Sequence, residues 1–166
     1  MFYNLQEIFD MQEKLDSHIH SLHNVDYENT YKKRILAFLV EIGELANETR
    51  CFKYWSLKPS SDKKIVLEEY VDGIHFVVSL GIFLKYIDRE KTEVFNCKKN
   101  ISMTECFLDL YNSACNLYNN LNLMTYKHLL SRFLGLGEKL GYSYNEILSA
   151  YYAKNKINYQ RQENNY

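Results

Sequence analysis

Two groups of carboxylates are placed where they could do chemistry. Glu41, Glu44 and Glu48 are spaced i, i+3, i+7, and Glu69 and Asp72 are spaced i, i+3. On helices, each set falls on one narrow stripe. Around the first set lie Ile35, Leu36, Phe38, Leu39, Val40, Ile42 and Leu45; the second is embedded in IVLEEYVDGIHFVVSLGIFL. Helices with so wide an apolar arc are packed on more than one side. Taken singly, each stripe also reads as an ordinary solvated face, Arg34, Ala37, Glu41, Glu44 and Glu48 on one and Glu68, Glu69, Asp72, His75 and Ser79 on the other. Taken together, their register also allows a metal site. A short loop makes the two helices antiparallel neighbours, with Glu44 about 14 Å and Glu69 about 11 Å from the loop at the helical rise. Glu41 then faces Asp72 at roughly the height where Glu44 faces Glu69. Four converging carboxylates repel one another unless a cation holds them. A hard divalent ion takes oxygen ligands, and Mg²⁺ bridging a triphosphate is its commonest use.

The elements that must position these groups are helical. The spacing predicts a first helix over about 3–22, with Leu5, Ile8, Phe9, Leu15 and Ile19 on one face and the polar Gln12 on the same stripe. A second runs from Thr30 as N-cap to about Phe52, and a third from about Asp62 to Ile87. Between them, SLKPSSDKK holds the only proline and reads as a loop. The polar linker DREKTEVFNCKKN leads to a fourth helix opened by a capping box, Ser102-Met103-Thr104-Glu105. A fifth helix over about Thr125–Leu140 ends at Gly141, and a second capping box, Ser143-Tyr144-Asn145-Glu146, starts the sixth. Gly135-Leu136-Gly137 follows no strand, so it reads as close helix packing and not as a phosphate loop. With no strand-period segment and no repeat, the expected fold is all-α: a single domain, 1–166, of about six helices around a four-helix core.

Composition agrees. The 166 residues are 46% hydrophobic with one proline and six glycines, which suits a few long helices better than a many-turned β fold. A net charge of −1 provides no field for nucleic acid or an anionic membrane, and Lys32-Lys33-Arg34 is too short to change that. Cys51, Cys97, Cys106 and Cys115 form no CxxC pair, which points to reduced structural thiols. The stretch Val71–Leu84 is interrupted by Asp72 and His75 and is too short to span a bilayer. MFYNLQEIFD lacks the basic and apolar regions of a signal peptide, so a cytoplasmic protein is expected.

Glu41-Ile42-Gly43-Glu44 and, after 24 residues, Glu69-Tyr70-Val71-Asp72 have the ExxE…ExxD form of the all-α nucleotide pyrophosphatase superfamily. The longer stretches VEIGELANETRCFKYWS, LEEYVDGIHFVVSLG, LGEKLGYSYNEI and YYAKNKINYQRQ, in this order along nearly the whole chain, resemble the dimeric dUTPase family, its bacterial and phage branch in particular. The resemblance implies a homodimer that hydrolyses dUTP, and also dUDP, to dUMP by attack of a Mg²⁺-activated water. Glu41, Glu44, Glu69 and Asp72 would hold two or three Mg²⁺ ions, with Mn²⁺ as a substitute. One of the helix-two glutamates would take the proton of the water, and Glu48 would have an outer or third-metal role.

By the same resemblance, Gln12 would read uracil, His75 and Phe76 would line the deoxyuridine pocket, and Lys53 and Trp55 would lie in the block bordering it. Lys154, Asn158 and Arg161, at i, i+4, i+7, would bring two phosphate-binding cations and a nucleoside contact from the sixth helix. Helices four and five would complete the bundle and the dimer seam. Without the resemblance, Gln12 is a satisfied core glutamine, His75 a packed histidine, Phe76 and Trp55 core aromatics, and Lys154 and Arg161 charges on a fraying end. Two departures bear on substrate handling: the sequence stops at Glu163-Asn164-Asn165-Tyr166, shortening any phosphate lid, and Asp16 stands where some relatives carry Asn. The rival readings are a relative acting on dCTP or on several nucleotides, and a helical interaction protein whose partner binding dominates.

Overall fold

The computed structural model describes residues 2–95 and 101–164. Cys97 in the linker and Asn165 and Tyr166 in the tail lie outside the described residues. Six helices account for most of the rest: α1 (Gln6–His23), α2 (Tyr27–Thr49), α3 (Lys63–Phe83), α4 (Met103–Asn119), α5 (Leu123–Lys139) and α6 (Tyr144–Glu163). The all-α reading holds.

Local hydrogen bonding sets the ends of these helices. Both predicted capping boxes are present, Ser102 with Glu105 and Ser143 with Glu146. A third box, Asp26 with Asn29, starts α2 earlier than the predicted N-cap Thr30, whose hydroxyl instead donates to the Asp26 carbonyl. Asn122 accepts from the Met124 and Thr125 amides and starts α5 at Leu123, ahead of the predicted Thr125. The first helix begins at Gln6 and not at residue 3. Phe2–Tyr3 (β1) instead pairs antiparallel with Thr92–Glu93 (β2), Phe2 opposite Glu93 and Tyr3 opposite Thr92. Two residues per strand are too few for a period-2 pattern to be visible.

At the other ends, α2 stops at Thr49 because Arg50 turns left-handed (φ 56°), and α3 stops at Phe83, short of Ile87, with Lys85 left-handed at φ 58°. A non-glycine residue in that region needs compensation. Arg50 has it: its guanidinium donates to the Lys58 carbonyl (3.1 Å) and the Ser56 hydroxyl (2.7 Å), so its side chain ties the α2–α3 loop together. Gly141, at φ 84°, terminates α5 as expected.

α3 is the axis of the molecule. It packs against α1, α2, α5 and α6, and α4 lies across α2 and α5. Val66, Tyr70, Val71, Ile74, Val77, Val78 and Leu80 are buried around nearly its whole circumference, which accounts for its almost uninterrupted apolar sequence. Phe133 of α5 stacks on Tyr70 (4.7 Å, 15°) and meets Phe38 of α2 edge-on (5.2 Å). Among the described residues no helix is long and apolar enough to cross a membrane.

Gly135 and Gly137 serve this packing. A Cβ on Gly137 would lie 2.4 Å from the Tyr70 hydroxyl oxygen, and one on Gly135 2.2 Å from the Phe95 carbonyl oxygen. Tyr70 is fully buried and donates to the Phe133 carbonyl (3.2 Å), so it has nowhere to retreat. Gly137→Ala is expected to cost about 1–3 kcal/mol of stability by overpacking, read as a lower urea midpoint with unchanged slope. A midpoint equal to that of the parent would show that the α3–α5 contact is looser than described.

Candidate active site

The structure brings three of the four expected carboxylates together, with Glu44 outside the group. Oxygens of Glu41, Glu69 and Asp72 lie within 4.8 Å of one another, between α2 and α3. With Glu44, Glu68, His75, Phe76, Lys154, Asn158 and Arg161 they line a cavity of about 470 Å³ where α2, α3 and α6 meet. A larger, mainly apolar groove of about 700 Å³ between α3 and α6 shares only Glu68 and Lys154 with it and lacks the carboxylate cluster. The chemistry is therefore in the smaller space.

Glu41, Glu69 and Asp72 are each held where charge is costly. Burial pushes Glu41 up to about 7, reinforced by the charges of Asp72, Glu44 and Glu69. Burial likewise raises Glu69, with Asp72 and Glu44 adding to it. Asp72 is raised by burial even though Lys154 pulls in the other direction. The Lys154 ammonium lies 2.6 Å from Asp72 and 3.4 Å from Glu68. Burial works against its charge, but the bond to Asp72 and the charges of Asp72 and Glu68 together outweigh it, and its pKa is raised. One lysine thus offsets part of a cluster of several acids, and the remaining negative charge suits a divalent cation.

The other expected residues divide into two groups. Glu44 lines the cavity from an exposed position outside the three-carboxylate cluster. Glu48 is drawn aside: its carboxylate accepts from the Ser61 hydroxyl and its carbonyl from the Ser61 amide (3.0 Å). Phe76, Asn158 and Arg161 are at the cavity as expected, and so is His75, buried and stacked on Tyr151 (4.3 Å). Gln12 does not reach the cavity wall. It is 3% exposed, its oxygen accepting from Tyr151 (2.6 Å) and bonded to His75 Nδ1 (2.8 Å) and its amide donating to Asp16 (2.9 Å).

Lys53 and Trp55 are outside the cavity of their own chain. Lys53 donates to Asn47, and Trp55 is 64% exposed beside Phe52 and Tyr54. Arg34, on the candidate solvent stripe of α2, points inward and pairs with buried Asp16 at 3.1 Å. Sequence reasoning missed Glu68 as a cavity residue, although it adjoins Glu69, and missed Tyr151, which looks like any core tyrosine.

The helical bundle thus sets an acidic cluster in contact with Lys154 and beside Arg161 in one polar cavity, carboxylate oxygens next to groups that attract an anion. A family model described as dUTPase matches residues 4–166, and the chain belongs to that family, the dimeric all-α dUTPases. It is a dUTP diphosphatase, its substrate a deoxyuridine nucleotide, in a family that generally uses divalent metal. No individual curated protein matches the chain.

Glu41 ionises at about 7 in the metal-free folded chain, against 4.5 for the unperturbed group. The folded state holds this proton more tightly, so the group lowers stability as pH rises from about 4.5 through about 7. Glu41→Gln is expected to raise the melting temperature of the metal-free protein near pH 8 by about 3 °C, with the gain fading toward pH 4. A melting temperature at or below that of the parent throughout would contradict the cost of burial and crowding described above.

Proposed function

We propose that the protein uses Mg²⁺ to hydrolyse dUTP, and also dUDP, to dUMP, with two or three ions in the site and Mn²⁺ able to replace them. The reading is carried by the convergence of Glu41, Glu69 and Asp72 oxygens within 4.8 Å, opposite the cations of α6. Glu41, Glu69 and Asp72 would hold the ions, with Glu44 beside them. When bound, such ions supply Lewis-acid charge at phosphate oxygens and make a water ligand more acidic.

The remaining roles belong to side chains. Glu44 is the best placed of the helix-two glutamates to accept the proton of the attacking water, because it borders the cavity without joining the cluster. Glu48, engaged by Ser61, supports the end of α2. Lys154 and Arg161 would meet the charge that develops on the phosphates, Lys154 passing from Asp72 to a phosphate oxygen once cations neutralise Asp72. His75, Phe76 and Asn158 would form the nucleoside side of the pocket, with Gln12 behind His75. Uracil selection by such polar contacts disfavours dCTP, because a wrong base leaves buried groups unpaired.

The same proposal makes the whole chain one domain and the active unit a homodimer. Leu36 and Val40, one turn apart on α2, and Leu108 on α4 are 63%, 49% and 63% exposed, large apolar side chains on two helices that pack together. Tyr54, Trp55 and Leu57 of the following loop are exposed as well, and a second copy would cover these side chains. Lys53 and Trp55 are thereby assigned to the subunit seam.

Pyrophosphate release from dUTP, dCTP, dTTP and UTP, with Mg²⁺ and with EDTA, tests the substrate reading: rapid release is expected from dUTP and Mg²⁺ alone. Comparable rates on several nucleotides would favour the broader pyrophosphatase reading. Asp72→Asn is expected to lose about 10³-fold in turnover together with Mg²⁺ affinity, and Glu44→Gln a similar factor with Mg²⁺ affinity retained. The reverse pattern would exchange their roles. Sedimentation velocity is expected to give a dimer that Leu36→Asp with Val40→Asp converts to a monomer; a monomeric parent would remove the seam.

A further inference from the structure

Behind the cavity lies a buried polar chain that neither binds phosphate nor belongs to the acidic cluster. Its anchor is Asp16, 1% exposed. Oδ1 accepts from Gln12 Nε2 (2.9 Å) and Arg34 Nη1 (3.1 Å); Oδ2 accepts from the hydroxyls of Tyr27 (3.0 Å) and Ser79 (2.5 Å). Four donors from three helices thus converge on one carboxylate. A carboxylate paired with arginine only accepts, so the Gln12 amide must turn its NH₂ toward Asp16 and its oxygen the other way. That oxygen accepts the Tyr151 hydroxyl (2.6 Å) and faces His75 Nδ1 (2.8 Å). An oxygen facing a ring nitrogen requires that nitrogen to carry the hydrogen. Burial keeps the imidazole neutral, its pKa lowered to about 3. His75 Nε2 is then a bare acceptor, buried and with no partner among the described residues, on a side chain that lines the cavity.

We propose that Asp16 is a positioning residue: through the amide of Gln12 it fixes His75 in its Nδ1–H form, so that the pocket presents an acceptor and not a donor at Nε2. A nucleoside hydroxyl or N–H that reaches this enclosed nitrogen would find an acceptor there. This deepens the reading of the cavity as a nucleoside pocket and rests on it for the effect on substrate, but the tautomer itself does not depend on substrate. Gln12 acts at second hand, orienting the histidine, and Arg34 and Ser79 hold the anchor.

The test is long-range ¹H–¹⁵N correlation of the histidine rings in the full chain without nucleotide, with His75 assigned by its loss in His75→Gln. The parent is expected to show a protonated Nδ1 and a bare Nε2 at His75. Asp16→Val together with Arg34→Met removes the anchor without leaving a charge buried and unpaired; His75 is expected to show both tautomers, and KM for dUTP to rise about tenfold with a smaller change in kcat. Asp16→Asn together with Arg34→Met should restore the parent spectrum and KM, because the amide oxygen can still face Gln12 while the Tyr27 and Ser79 hydroxyls turn to accept. A parent His75 protonated at Nε2, or an unchanged His75 in the double variant, would overturn the proposal. The stated tautomer response in a protein inert toward dUTP would support the relay and discard the substrate reading instead.

Discussion

Mutual repulsion among carboxylates that cannot retreat into water is the constraint on which the rest of the structure depends. Glu41, Glu69 and Asp72 are carried by α2 and by α3, and α3 is buried on nearly every side, so the helices cannot roll to relieve the crowding. Lys154 offsets part of that charge and no more. The fold therefore stores a standing attraction for multivalent cations, and the energy that would be needed to assemble such a cluster has already been met by packing elsewhere. The stacked Tyr70 and Phe133, the glycines that let α5 approach, and the capping boxes that set helix ends all serve to keep two helices from shifting.

Much of this was legible in the chain, for a definite reason. Helical periodicity places residues three and four apart on a common face, and a short loop forces antiparallel neighbours, so the meeting of Glu41 with Asp72 follows from counting. The same regularity exposes Lys154, Asn158 and Arg161 as one stripe of α6. Helix boundaries were less legible where a side chain other than the expected one makes the cap: Asp26 with Asn29 displaces Thr30, and Asn122 displaces Thr125. Arg50 and Lys85 could not have been foreseen as stops, since a left-handed residue that is not glycine is held by partners far along the chain.

The polar interior was the least legible part. Gln12 stood out on its apolar stripe, but its partners Asp16, His75 and Tyr151 come from three helices, and only the packing of α1 and α6 on α3 brings them together. Arg34 resembled a solvated residue because it shares a helical stripe with Ala37, Glu41, Glu44 and Glu48. Long-range hydrogen bonds have no signature in local spacing. Trp55 shows the converse: a residue singled out by resemblance that the fold leaves on the surface.

The link between Ser61 and Glu48 has a consequence for how this architecture can vary. Amide and hydroxyl of Ser61 return the chain to the last turn of α2 immediately before α3 begins, so residues 51–60 form an excursion whose two ends are fixed to each other. Insertions or deletions inside that excursion change its outline and leave the facing of the two helices alone. One residue added within α3 ahead of Glu69 would instead rotate its acids by about 100° relative to those of α2. Length variation among descendants of this chain should therefore collect in the excursion, and the two helices beside it should drift in composition but keep their count.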